Sequence, residues 1–251
     1  MNIMNSEKPE ISPIILLLQD VMQKSDAKGF VIGLSGGIDS SVAATLCVRA
    51  AGSSHVMGFF LPSSVTSLVD TEDVKILSDV LGISVQTIPI GPLIDQYRNM
   101  PGFTDTPYLV GNLMARTRMA ILYYYANQMN LLVCGTSNYT EYLLGYCTKY
   151  GDSAADVQPI IHLQKSEIWN LAKDLDIPGR LIEKVPSAGL WPDQTDEKEL
   201  GMKYADIDRI ISNLERQGWG AKTPEEKQVL EMVHRAGHKK QPAPQVNRYS
   251  F

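Results

Sequence analysis

Cysteine is scarce in this chain. Its 251 residues hold three, Cys47, Cys134 and Cys147, with no Cys-x-x-Cys pair. An odd, scattered set excludes a disulfide framework and a thiolate zinc site, and it fits a reducing cytoplasm. A basic excess is also missing: 23 Lys and Arg stand against 28 Asp and Glu, a net charge of −5. Without a positive field there is no electrostatic footprint for nucleic acid. No apolar run approaches the ~20 residues that span a bilayer. Glu7, Lys8, Pro9 and Glu10 precede the first apolar run, and no signal-type cleavage site follows it. The expectation is a cytoplasmic protein with no membrane and no nucleic-acid partner.

What is present is the texture of a filled core. Hydrophobic residues make up 44% and charged residues 20% of the chain, ordinary values for one large domain of this length. Residues 12–25 read as a helix with Ser12 as its cap and Pro13 in its first turn. Residues 29–34 form a continuous apolar strand of the kind buried on both faces, and a helix follows to about Ala51. Val56 to Leu61 reads as a second strand, Ile83 to Ile88 as a third and Leu131 to Gly135 as a fourth, with a helix from Asp70 to Leu81. Later helices are expected at about 204–216 and 224–236. This alternation indicates an α/β fold: a doubly wound parallel sheet with helices on both faces. The apolar helix over 113–126 is either core or an oligomer interface. Residues 62–70 and 186–196 are polar, loop-like stretches suited to closing over a ligand.

The first strand breaks into Ser35-Gly36-Gly37-Ile38-Asp39-Ser40-Ser41 and runs straight into a helix. Strand, glycine turn and helix start together make an anion site. Gly36 and Gly37 let backbone N–H groups approach an oxyanion, and the helix N-terminus adds unpaired donors and partial positive charge. Ser35, Ser40 and Ser41 offer hydroxyl donors, and Asp39 offers a hard oxygen where Mg²⁺ would bridge phosphates. No Lys occupies the turn, so this is not the kinase-type phosphate loop.

Gly135-Thr136-Ser137-Asn138-Tyr139-Thr140-Glu141 follows the fourth strand as the serine-glycine turn follows the first. Ligands of open parallel sheets lie beyond the strand carboxyl ends, where strand order reverses. If the first and fourth strands are neighbours, Thr136 and Glu141 face the same crevice as Asp39. Glu141 then reads as a second Mg²⁺ ligand. A carboxylate complementing a helix dipole, worth about 0.5 kcal/mol, is the simpler reading when Glu141 is taken alone. Downstream, Gly145 to Asp156 mixes cations with carboxylates in a glycine-rich stretch, and Lys165 follows.

SGGIDS resembles the pyrophosphate loop of the ATP pyrophosphatases, which cleave ATP between the α and β phosphates. With Leu61-Pro62-Ser63-Ser64, Asn112 to Met119, GTSNYTE, GYCTKYGDSAAD, PSAGL, QTDEKELG and Gly237-His238-Lys239-Lys240 in that order, the chain resembles the short, ammonia-dependent NAD synthetases over nearly its whole length. The resemblance implies an adenine-nucleotide alpha-hydrolase-like, Rossmann-like sheet in one domain over 1–251. It implies no glutaminase domain, since SGGIDSS begins at Ser35. It also implies a homodimer with the dinucleotide sites at the subunit interface.

The implied reaction takes ATP, deamido-NAD and ammonia to AMP, diphosphate and NAD through an NAD-adenylate. By this resemblance Gly33, Leu34, Ser35, Gly36, Gly37, Ile38, Asp39 and Ser40 bind ATP together with Thr136, Lys165 and Ser187. Asp39 and Glu141 match the Mg²⁺ ligands and, with Lys165, the catalytic groups. Arg116, Lys149, Asp156, His238 and Lys239 match the deamido-NAD contacts. Two rivals remain: another ATP pyrophosphatase acting on a different carbonyl, and a non-catalytic adenine-nucleotide sensor. The sensor would need the loop but not Glu141, Lys149, Asp156 or the late His-Lys pair.

Overall fold

A computed structural model describes residues 11–246, so Glu7, Lys8, Pro9 and Glu10 lie outside the described residues. Phe30, Val31 and Ile32 have no exposed surface. Their strand, β1 (Phe30–Gly33), pairs in parallel with β2 (Val56–Phe60) on one side and β4 (Leu132–Cys134) on the other. A parallel β3 (Ser84–Thr87) completes the order β3-β2-β1-β4.

Successive side chains point to opposite faces of a strand, and here both faces are covered. Phe30, Ile32, Val56 and Phe60 pack against α1 (Ser12–Lys24), α2 (Ile38–Ala51), α3 (Leu68–Leu81), α7 (Lys165–Asp174) and α8 (Gly179–Ile182). Val31, Phe59 and Val133 pack against α4 (Gly91–Tyr97) and α5 (Pro107–Met129). Two-sided burial is why β1 reads as an uninterrupted apolar run. A third apolar cluster joins α6 (Tyr139–Leu144), α9 (Asp196–Leu200), α10 (Tyr204–Arg216) and α11 (Pro224–Arg235). A short α12 (Gly237–Lys240) follows. Among the described residues no helix is long and apolar enough to cross a membrane.

Several helix ends differ from the sequence expectation for local reasons. The cap of α1 is Ile11, so Ser12 lies inside the helix and caps nothing. The helix expected to open at Asp70 begins at Leu68, because Ser67 and Asp70 form a reciprocal capping box. That box folds the end of the 62–70 stretch into α3. The apolar 113–126 segment lies within α5, which is 23 residues long, starts at the Thr106 cap with Pro107 behind it, and stops at left-handed Asn130. Within that segment Met114, Ala115 and Ala126 are core, while Tyr124 is exposed.

From β1 the chain steps outward to β2 and β3, and α4 and α5 then carry it back to β4 on the far side of β1. Strand order therefore reverses between β1 and β4, and the loops that follow these two strands emerge side by side. The sheet centre carries this placement. Phe30→Ala is expected to lower unfolding free energy by about 3–5 kcal/mol in urea denaturation; a loss below about 1 kcal/mol would contradict the packing described.

Candidate active site

The turn after β1 is held by its own polar groups. Ser40 Oγ and Ser41 Oγ donate to the Gly37 carbonyl at 3.0 and 2.8 Å, and Gly37 N–H donates to Ser35 Oγ at 3.2 Å. Gly36 has φ +73°, and a Cβ there would stand 3.0 Å from the Asp70 carbonyl, so only glycine suits the position. Helix α2 opens at Gly37 with no side-chain cap, which leaves first-turn N–H groups for an anion. Ser35 is exposed, and Gly37 and Asp39 are half-buried. Leu34 and Ile38 turn their side chains into the core, so they can offer a ligand only backbone. Ser41 departs from the expectation: it is fully buried, with its donor engaged by Gly37.

At the strand reversal Asp39, Glu141 and Lys165 meet. Lys165 Nζ lies 2.5 Å from Asp39 Oδ2 and 3.3 Å from Glu141 Oε1, with the lysine only 2% exposed. Asn138 Nδ2 donates to Asp39 Oδ1 at 2.9 Å, and Asn138 Oδ1 accepts from Glu141 N–H at 3.0 Å. The two post-strand loops are thereby bonded to each other. A lysine at the first position of a helix opposes the dipole, and burial alone would depress its pKa. Asp39 and Glu141 outweigh both effects and hold the ammonium above the usual lysine range. Burial pushes the Glu141 carboxyl above its usual range, with Lys165 opposing the rise and Asp39 and Asp196 adding to it.

The supporting groups were not visible as a site in the sequence. Lys165 N–H donates to Thr140 Oγ1 at 3.1 Å; Thr140 donates to Asp208 Oδ1 at 2.5 Å, and Asp208 Oδ2 accepts from Ser166 N–H at 2.8 Å. A carboxylate from α10 thus caps α7 and fixes where Lys165 enters. Tyr204 sits with its ring 5.1 Å from Lys165 Nζ and donates its hydroxyl to Asp196 at 3.0 Å. Among the described residues no three of His, Cys, Asp and Glu converge as a metal cage. Two hard carboxylates meeting beside a phosphate loop fit Mg²⁺, which takes one or two carboxylates plus phosphate oxygens.

Lys184 is a functional group that sequence reasoning missed, because its partners lie more than a hundred residues away. Its Nζ donates to the Gly36 carbonyl at 3.0 Å, to Asp70 Oδ1 at 2.6 Å and to Asp73 Oδ2 at 2.8 Å. Against the opposing effect of burial, Lys184 and Ser67 hold the Asp70 carboxyl below its usual range. The back of the phosphate turn is tied in this way to α3 and to the segment leading into Ser187. Ser187 itself donates to the Gln194 carbonyl at 2.7 Å and accepts from Gly189 N–H at 3.1 Å, ordering its own loop. Thr136 stands half-buried on the turn after β4.

A second group of expected residues gathers at an adjoining cavity. Arg116 Nε donates to the Lys149 carbonyl at 3.3 Å, Lys149 Nζ donates to the His238 carbonyl at 2.6 Å, and Lys239 Nζ donates to the Gly145 and Cys147 carbonyls, both at 2.7 Å. The His238 ring faces the Arg235 carbonyl, so its Nδ1 carries the proton. Asp156 accepts from Val133 N–H at 2.8 Å and Tyr123 Oη at 3.3 Å. Lys149, Lys239, Tyr123, Ser137 and Cys147 line a cavity of about 370 Å³. Burial pushes the Cys147 thiol up to about 11, so it stays protonated and inert at neutral pH.

A family model described as NAD synthase matches residues 10–243. An NH₃-dependent NAD⁺ synthetase of Methanoregula boonei is 50% identical over 222 residues, 88% of this chain and 90% of that protein. Among solved structures, an NMN synthetase from Francisella tularensis superposes with TM-score 0.87 at 37% identity, covering 95% of this chain and 97% of that one. An NH₃-dependent NAD synthetase from Campylobacter jejuni, in complex with nitrate, gives TM-score 0.81 at 31% identity, covering 95% and 98%. One prediction follows from the geometry alone. Lys165→Met leaves two carboxylates facing each other without their cation, and it should lower stability by about 3–5 kcal/mol in urea denaturation; an unchanged midpoint would show that the ion pair does not hold the site together.

Proposed function

The chain belongs to the NAD synthase family, and on that footing we propose that it is an ammonia-dependent NAD⁺ synthetase: an ATP-dependent, AMP-forming amide ligase converting deamido-NAD and ammonia to NAD. The observation that carries the reading is the convergence of Asp39, Glu141 and Lys165 beside an uncapped phosphate turn, next to a cavity lined by Lys149 and Lys239. A nucleotide sensor has no use for the second half of that arrangement.

The chemistry runs in two steps. The substrate carboxylate attacks the ATP α-phosphorus and pyrophosphate leaves. Ammonia then adds to the acyl carbon of the adenylate. A C–N bond forms, the C–O bond to AMP breaks with its electron pair on the AMP phosphate, and nitrogen loses one proton to solvent. Backbone N–H groups around Ser35, Gly36 and Gly37 receive the departing phosphates, with Ser40 bracing their turn. Lys165, Thr136 and Ser187 face the rest of ATP. Arg116, Lys149, Asp156, His238 and Lys239 hold the dinucleotide, the cations matching its phosphates. Held by Asp39 and Glu141, Mg²⁺ would neutralise the charge on the departing pyrophosphate. Among the protein groups catalysis is positioning and electrostatics, with no covalent nucleophile.

The protein acts as a single domain in the cytoplasm and as a homodimer. Exposed Tyr108, Leu109 and Tyr124 on α5 support the dimer, since an obligate interface covers large apolar side chains of this kind. A second reading has one observation in its favour: the close superposition on an NMN synthetase fits a mononucleotide acid as the substrate.

With Mg-ATP and ammonium, deamido-NAD should yield AMP, diphosphate and NAD, at higher kcat/KM than the deamidated mononucleotide. The reverse preference would establish the second reading, and ADP with phosphate would remove both. Asp39→Asn should lower AMP formation about 100-fold or more with the far-UV spectrum unchanged; near-normal turnover would remove the role given to Asp39. Sedimentation at micromolar concentration should give a dimer, and a compact active monomer would overturn that assembly.

A further inference from the structure

One polar group at the edge of the site has no role in the reaction as derived so far. Gln158 Oε1 is buried and has no protein partner, although Gln158 Nε2 donates to the Ser153 carbonyl at 3.2 Å. That bond fixes the orientation of the amide, since turning it over would set two carbonyl oxygens against each other. A buried acceptor left unpaired costs free energy, so its persistence calls for a donor that arrives with the ligand.

Its surroundings place the acceptor within the site. Gln158 lines the same cavity as Lys149 and Lys239. It lies against the turn after β4: a Cβ at Gly135 would stand 2.1 Å from Gln158 Oε1. Gly135 is therefore bare so that this amide can lie across the strand end, one residue before Thr136. The backbone there is pinned as well, by Gly135 N–H donating to the Val157 carbonyl at 2.8 Å. The acceptor thus sits where the adenylate-forming and dinucleotide-holding halves of the site adjoin.

We propose that Gln158 is a positioning residue for the nitrogen nucleophile: its side-chain carbonyl receives an N–H of the attacking ammonia, and then of the carboxamide that ammonia becomes. The inference rests on the synthetase reading above. The reacting carboxylate and the acyl–phosphate link that replaces it offer Oε1 only further acceptors, whereas ammonia and the product amide offer donors at the same centre. The contact is therefore made in the second half-reaction and not in the first. A neutral amide is no base, so Gln158 takes no proton; it aims the nitrogen lone pair away from itself and toward the acyl carbon.

The two half-reactions can be read separately. In Gln158→Met, which keeps side-chain volume but removes the acceptor, ATP–pyrophosphate exchange dependent on deamido-NAD and measured without ammonium should stay within about twofold of the parent. KM for ammonium should rise about fivefold or more, and NAD formed per AMP released should fall as water competes for the adenylate. Gln158→Asn, which withdraws the carbonyl while keeping an amide, should give the same split and decides the matter if the methionine variant folds poorly. Unchanged ammonium dependence would overturn the proposal. So would a parallel loss of exchange, which would mark Gln158 as a structural tether of the Ser153 loop. Absence of exchange in the unaltered protein would instead strike the synthetase reading itself.

Discussion

A buried ammonium between two carboxylates holds the catalytic end of this protein together. Lys165, Asp39 and Glu141 come from α7, α2 and α6, so their side chains tie three separate helices together at this point. Desolvating three charges is costly, and the attraction offsets that only with close geometry and further hydrogen bonds. The structure supplies both. Asn138 bonds Asp39, and Thr140 and Asp208 fix the start of α7.

The sheet decides where this can happen. Strand order reverses between β1 and β4, which is the crevice where ligands of open parallel sheets bind. Each flanking loop meets a different steric demand. Gly36 takes a left-handed conformation close against α3, while Gly135 leaves room for the Gln158 amide. Gly36 needs the backbone freedom of glycine, and Gly135 needs only the missing Cβ.

Around this centre the polar groups divide by what they touch. Ser41, Lys184, Asp208 and Tyr204 bind other protein groups and give the site its shape. Ser35, Asp39, Lys149 and Lys239 combine protein contacts with exposure to the phosphate crevice or the adjoining cavity. The distinction is one of burial and partner count, which residue type does not reveal: of two adjacent serines bonded to the same carbonyl, both are buried, yet only Ser40 also bonds back to Ser35 at the mouth of the turn.

Much was legible in the chain because the signals are local. A continuous apolar run gives a strand buried on two faces, Ser-Gly-Gly followed by Ile-Asp-Ser gives a turn into a helix, and the later blocks follow in an order specific to one family. Local rules also explain the misplaced ends, since the Ser67–Asp70 box and the Ile11 cap depend on which of several polar residues the backbone engages. Lys184 under Gly36, Asp208 capping α7 and Gln158 over Gly135 were beyond the sequence. Each joins segments whose contact is set by how helices pack on the sheet, and a lysine, an aspartate or a glutamine reads the same there as at any solvated surface. The sequence by itself determined the phosphate turn, the strand–helix alternation and the chemistry the chain can perform. Which carboxylates share a cation, and which acceptor is left waiting for a donor, was decided only when tertiary packing removed water from them.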